Sequence, residues 1–152
     1  MDTGELVRTI QYVLAPAVMV SSSALLLLGF QTKFSNLANR FRALNQEKRL
    51  LSERSDRSPS EEARFRSLGK QVEQLMRRAT LVKRAILLTY GAIVCFAGTS
   101  VFIFLNVYTS FQLYHLIIAV FIFGFFLSLA AAVFMIQETS LFYRIIRLEK
   151  SS

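Results

Sequence analysis

The side chains best placed to do chemistry in this chain are hydroxyls near the middle of its long apolar stretches. They are Ser21, Ser22, Ser23, Thr99, Ser100 and Ser128. A serine nucleophile needs an activating base beside it, and Ser22 has no histidine or lysine at its depth. Small hydroxyl residues also let membrane helices approach one another closely. We therefore interpret these hydroxyls as helix-packing residues, with the lining of a pore between subunits as the alternative.

Metal and redox chemistry have few candidate ligands in this sequence. The chain has one histidine, His115, and one cysteine, Cys95. An intramolecular disulfide needs two cysteines, and a tetrahedral zinc site needs several cysteine or histidine ligands. The sequence therefore predicts no metal, no cofactor and no catalytic residues, and a protein that is not an enzyme.

The elements that position these residues are apolar stretches without charge. Residues 9–32 contain no charged side chain, and neither do the 53 residues of 85–137. About 20 apolar residues in a helix cross the hydrocarbon core of a bilayer. The first stretch fits one span at about residues 10–30, and the second fits two, at about 85–107 and 113–136. We expect an all-α integral membrane protein with three transmembrane helices.

The segment between the first two spans is strongly basic. Residues 33–84 contain fourteen of the 18 Lys and Arg residues and six acids. Apolar residues recur there at helical spacing in two runs, which begin at Phe34 and at Phe65. Ser58 fits a helix N-cap, Pro59 the first helical position and Glu61 the partner in a capping box. The pattern predicts a coiled-coil-like antiparallel helical hairpin whose helices continue from the adjoining spans.

Charge also predicts the topology, because basic segments beside membrane spans stay in the cytoplasm. We expect the hairpin and the C-terminus in the cytoplasm and the N-terminus outside. The expected organisation is a tail and first span at 1–32, the hairpin at 33–84, two spans at 85–137 and an amphipathic helix end at 138–152.

Six basic side chains are expected near the inner membrane surface. They are Arg40, Arg42, Arg77, Arg78, Lys83 and Arg84. Each basic residue close to an anionic leaflet adds roughly 1 kcal/mol of attraction. Besides the bilayer itself, the expected partners are anionic lipid headgroups or a cytoplasmic protein. Nucleic acid is not expected, because the basic segment lacks interleaved aromatic residues and a recognised binding motif.

A short motif carries a family resemblance. The leucine-rich residues 24–28 are followed by Arg40-Phe41-Arg42-Ala43-Leu44. This layout resembles the domain-of-unknown-function 2721 family of small bacterial membrane proteins, in which a leucine-rich span runs into a basic helix with an Arg-x-Arg-x-Leu pattern. Those proteins often have an arginine shortly after the first span, where this chain has Gln31-Thr32-Lys33. The resemblance implies a bacterial inner-membrane location and no particular activity.

Two functional hypotheses follow from the sequence. The first is a membrane-anchored structural or interaction protein, homo-oligomeric, that presents the basic hairpin to the cytoplasm. The alternative is a subunit of a homo-oligomeric ion channel with an inner mouth that favours anions. The helical phase of Ser22, Thr99 and Ser128 discriminates between them, because hydroxyls that face inward within one subunit are packing residues.

Overall fold

The computed structural model describes residues 3–53, 58–108 and 112–149, and it is helical almost throughout these ranges. The helices are α1 (Thr3–Ser52), α2 (Pro59–Tyr108) and α3 (Tyr114–Glu149). Each of the three contains a stretch long and apolar enough to cross a membrane. The predicted all-α class with three membrane-length helices is confirmed.

The first two helices continue without a break from their apolar halves into their charged halves. Each has 50 residues, which at about 1.5 Å per residue gives a length of about 75 Å. The hydrocarbon core of a bilayer is only about 30 Å thick. Both helices are therefore much longer than the core is thick, and each runs unbroken from apolar into charged sequence, as the sequence predicted. Helix α3 likewise runs on past the expected end of the third span.

Helix α2 begins at the predicted capping box. The Ser58 backbone N–H donates to Glu61 Oε2 at 3.0 Å, and the Glu61 N–H donates to Ser58 Oγ at 3.3 Å. These two bonds satisfy backbone groups that the first helical turn leaves without partners. Of the predicted connections, residues 54–57 and 109–111 lie outside the described residues, as do residues 150–152 of the expected C-terminal segment.

Helix α2 lies between the other two helices and is antiparallel to both. Gln31 Nε2 on α1 donates to the Tyr90 hydroxyl on α2 at 2.9 Å. On the other side, the Phe96 ring of α2 packs on Phe121 of α3 with ring centroids 5.5 Å apart. Helices α1 and α3 contact each other much less than either contacts α2. The central helix therefore carries most of the packing.

Two apolar clusters form the interior. One joins all three helices through Phe30, Ala85 and Ala131. The other joins α1 to α2 through the three side chains Leu37, Leu75 and Val82. The Met135 side chain of α3 packs against both clusters. The clusters lie where the apolar stretches of α1 and α2 give way to their charged segments.

The closest approach of α2 and α3 depends on a glycine. A Cβ atom built at Gly124 would lie 2.8 Å from Cys95 Cβ and 3.1 Å from Phe96 Cε1. Both distances are shorter than ordinary van der Waals contacts, and Cys95 Cβ is fixed to the backbone. Small residues at such crossings allow the close helix contact that stabilises membrane bundles.

We expect Gly124→Ala to lower the free energy of unfolding by about 1–3 kcal/mol, because the added methyl group overpacks this crossing. Thermal unfolding followed by circular dichroism in lipid discs measures the change. Gly98→Ala is the matched control, since a Cβ there meets no atom within 4 Å. If both variants melted at the wild-type temperature, the tight crossing would not exist.

Candidate functional site

A buried carboxylate joins the three helices at one level of the bundle. The Glu138 side chain on α3 is fully buried, and Arg78 on α2 donates to its Oε1 from Nε at 2.9 Å. A second guanidinium nitrogen of Arg78 lies 2.7 Å from the same oxygen. The Lys33 ammonium of α1 pairs with Glu138 Oε2. It also donates to the Thr139 hydroxyl at 3.1 Å. We call Lys33, Arg78 and Glu138 the ion cluster.

The electrostatics of the ion cluster follow from burial. A carboxylate taken out of water without a partner is destabilised by several kcal/mol. Two cations compensate the single carboxylate here, so the cluster carries one excess positive charge. The Arg78 side chain is only 11% exposed, whereas the Lys33 side chain is 33% exposed. The excess charge therefore lies on the Lys33 side, which remains open to the surroundings.

The ion cluster lies at the boundary between apolar and charged sequence. Lys33 is the first charged residue after the stretch 9–32, and Glu138 is the first after 85–137. The two apolar clusters of the interior adjoin it, since Met135, one turn before Glu138, packs against both. The Arg84 guanidinium lies over the Phe134 ring, 6.0 Å from its centroid, which adds a cation–π contact on the same helix pair.

The sequence pattern does not single out the ion cluster. It groups Arg78 with the residues expected to contact lipid or a partner, but the structure buries Arg78 in the bundle. A signal was nevertheless present in the order of charges. The first charges after the two apolar stretches have opposite signs, and the two spans expected between Lys33 and Glu138 would return the chain to the same membrane surface. Only the three-dimensional packing shows that the two side chains meet.

The other five basic residues of that group are exposed. Arg40, Arg42, Lys83 and Arg84 have exposed side chains, and Arg77 is also exposed but lies 3.6 Å from Glu73 on the same helix. Such exposed pairs one turn apart contribute little to stability. These five side chains therefore remain accessible to an anionic partner.

The hydroxyls divide into inward and outward positions. Ser23 and Thr99 are buried in the bundle, whereas Ser21 and Ser22 are exposed and Ser100 and Ser128 are half-buried. Four of the six donate to the carbonyl four residues earlier in their own helix. These bonds run from Ser21 to Ala17 (3.2 Å), Ser22 to Val18 (2.9 Å), Thr99 to Cys95 (2.8 Å) and Ser100 to Phe96 (3.3 Å). These hydroxyl groups are satisfied within their own helix and need no partner on a neighbouring helix.

The carboxylates of the basic segment are also engaged. Glu47 accepts from Arg64 Nε across the α1–α2 contact at 2.9 Å, and this hydrogen bond, with the charge of Glu47, raises the pKa of Arg64. Glu61 is held in the capping box. The remaining carboxylates of the described hairpin pair one turn away on their own helices: Glu53 with Arg49, Glu62 with Arg66 and Glu73 with Arg77.

The described residues form no candidate metal site. Within residues 3–53, 58–108 and 112–149, no three side chains of histidine, cysteine, aspartate or glutamate are grouped so that they could hold a metal ion. The chemistry available at the ion cluster is therefore that of one carboxylate and two cations.

Three helices long and apolar enough to cross a membrane indicate an all-helical membrane protein. The family described as "Protein of unknown function (DUF2721)" matches residues 13–148, and the chain belongs to this family. The resemblance seen in the sequence is thus confirmed over nearly the whole chain. Comparison with curated proteins and with solved structures found no match.

We expect Glu138→Gln to lower the free energy of unfolding by roughly 3 kcal/mol, because the loss of one partner leaves buried charge without compensation. Thermal unfolding in lipid discs measures this loss. Glu73→Gln is the matched control, since its exposed pair with Arg77 contributes less than about 1 kcal/mol.

A double variant separates the effect of charge from that of shape. Adding Arg78→Gln to Glu138→Gln removes the buried guanidinium charge and should recover part of the lost stability. If Glu138→Gln unfolded at the same temperature as Glu73→Gln, the ion cluster would not hold the helices together.

Proposed function

We propose that this protein is a membrane-anchored structural or interaction protein, homo-oligomeric, whose basic hairpin faces the cytoplasm. One observation carries the proposal: each described carboxylate of the hairpin has a partner within the chain, and exposed cations are left over. The described part of the hairpin thereby keeps a positive surface that its described carboxylates do not neutralise.

The exposed basic side chains that pair with no described carboxylate indicate an anionic partner. Arg40, Arg42, Lys70 and Lys83 are exposed, and no carboxylate of the described residues pairs with them. Near an anionic leaflet each such residue adds roughly 1 kcal/mol of attraction. Arg40, Arg42 and Lys83 lie close to the boundary with the apolar stretches and suit anionic lipid headgroups. Lys70 lies farther out and suits an acidic cytoplasmic protein.

The exposed face of α1 supports self-association. Ser21, Ser22, Ala24 and Gly29 are exposed there, and a Cβ built at Gly29 meets no atom within 4 Å. Small residues on an open helix face let a second helix approach closely in a bilayer. Closed homo-oligomers are the commonest assemblies of identical chains, so a second copy is the natural partner for this face.

The channel alternative receives less support from the same residues. Thr99 is buried within one protomer, and the Ser22 hydroxyl donates to its own helix. An intersubunit pore would need hydroxyls or amides that project from a shared face toward a common axis. Ser21 and Ser22 are the exposed members of the hydroxyl set, and they favour a packing role on α1.

Native mass spectrometry in discs of mixed anionic and zwitterionic lipid tests this proposal. We expect masses at multiples of the 17.3 kDa protomer, with anionic lipid retained in preference to zwitterionic lipid. Replacing Arg40, Arg42 and Lys83 with Gln should abolish the lipid preference. A control that replaces Arg49, Arg66 and Lys70 removes the same charge farther from the boundary and should keep it. A spectrum of monomers alone would contradict homo-oligomerisation, and equal retention of both lipids would contradict the headgroup contact.

Cysteine accessibility in bacterial cells tests the proposed orientation. In a Cys95→Ala background, we expect Gln112→Cys to react with a membrane-impermeant maleimide in intact cells. Ser67→Cys should react only after the inner membrane is permeabilised, because the hairpin faces the cytoplasm. Both positions are exposed in the protein, so both should react in detergent. The reverse pattern in intact cells would invert the topology.

A further inference from the structure

An apolar groove lies at the end of the bundle remote from the hairpin, and the proposed function makes no use of it. Its volume is about 590 Å³, and all three helices line it. The residues that matter to its chemistry are Tyr12 and Pro16 from α1, Thr99 and Asn106 from α2, and Tyr114 and Phe121 from α3. We propose that this groove binds one acyl chain of a membrane phospholipid.

The polarity of the groove changes along its length as an amphiphile requires. Its outer end, at the start of α3, carries the Tyr12 and Tyr114 hydroxyls and the Asn106 amide. Toward the middle of the bundle the walls are the buried Pro16 and the Phe121 ring. The Thr99 hydroxyl at this inner end already donates to the Cys95 carbonyl at 2.8 Å. A bound acyl chain would therefore point inward, and the polar headgroup of its lipid would lie beside Tyr12 and Tyr114 at the outer end.

The dimensions match one leaflet. The α2 wall runs from Thr99 to Val107, which at about 1.5 Å per residue is about 12 Å. Half of a hydrocarbon core of about 30 Å is about 15 Å. The volume also falls within the range of roughly 300–1,000 Å³ that is typical of small-molecule sites. A single acyl chain therefore matches the groove in length and in volume.

The uncharged lining of the groove and its open side both favour an acyl chain as the occupant. Among the described residues, no aspartate, glutamate, lysine or arginine lines the groove, so these residues offer no counter-charge to an ion or a charged peptide segment. The Asn106 side-chain oxygen already accepts a hydrogen bond from the Leu113 N–H at 3.0 Å. Because α1 and α3 contact each other so little, the groove is open between them to the side. This open side is where an acyl chain would enter from the bilayer.

Photolabelling of the full chain in vesicles tests this proposal. The probe is a phosphatidylcholine with a diazirine near the end of one acyl chain, mixed into unlabelled lipid. We expect label on the groove residues Ile103, Ile117 and Phe121 to exceed label on the exposed lipid-facing residues Phe125 and Phe126 several-fold. Mass spectrometry of peptides locates the insertions. Ala15→Trp places an indole in the groove and should reduce groove labelling to the level of the lipid-facing residues.

Ala17→Trp is the matched control, because Ala17 is exposed on the same turn of α1 but does not line the groove. It should leave groove labelling unchanged, and thermal unfolding verifies that both variants fold. Groove labelling no greater than that of Phe125 and Phe126 would overturn the proposal, as would labelling that Ala15→Trp does not reduce. Photocrosslinking from Ile118 to a second copy of the chain would also overturn it, by showing that a protein helix fills the groove.

Discussion

The desolvation of one carboxylate constrains the whole bundle. Glu138 is completely removed from solvent, and a buried charge is tolerated only when partners compensate it. Its partners come from the other two helices, so the rotation and the height of α1, α2 and α3 are determined together. A slip of one helical turn, about 5.4 Å, would separate the carboxylate from at least one of its two cations and weaken the compensation of its charge. Apolar packing alone tolerates such slips more readily, because one aliphatic contact is much like the next.

Features that depend on one helix at a time could be predicted from the sequence. The three spans follow from the length of the uncharged stretches. The start of α2 follows from Ser58, Pro59 and Glu61, which act within a single turn. The unbroken passage from span to basic helix follows from the absence of a helix-breaking residue there. Each of these predictions uses local spacing. The structure confirms three helices long and apolar enough to cross a membrane, the capping box and the unbroken course of α1 and α2.

Features that depend on how helices face one another could not be predicted in the same way. The meeting of Lys33, Arg78 and Glu138 depends on the relative rotation of three helices, which hydrophobic periodicity leaves open. The close crossing at Gly124 has the same origin, since glycine is common in membrane helices whether or not a neighbour touches it. Hydroxyls are less informative still. A serine that donates to its own helix is satisfied at any rotation, and its position alone therefore indicates no function.

The unbroken helices at the membrane boundary have a mechanical consequence. Helices α1 and α2 leave the apolar region as paired rods with no hinge between span and hairpin, and the ion cluster clamps them to α3 at the level of exit. The tip of the hairpin therefore stands at a fixed distance from the ion cluster, on the order of 30 Å for about 20 helical residues. A lateral force on the tip would pivot the helices about the ion cluster and tilt their apolar ends in the opposite direction.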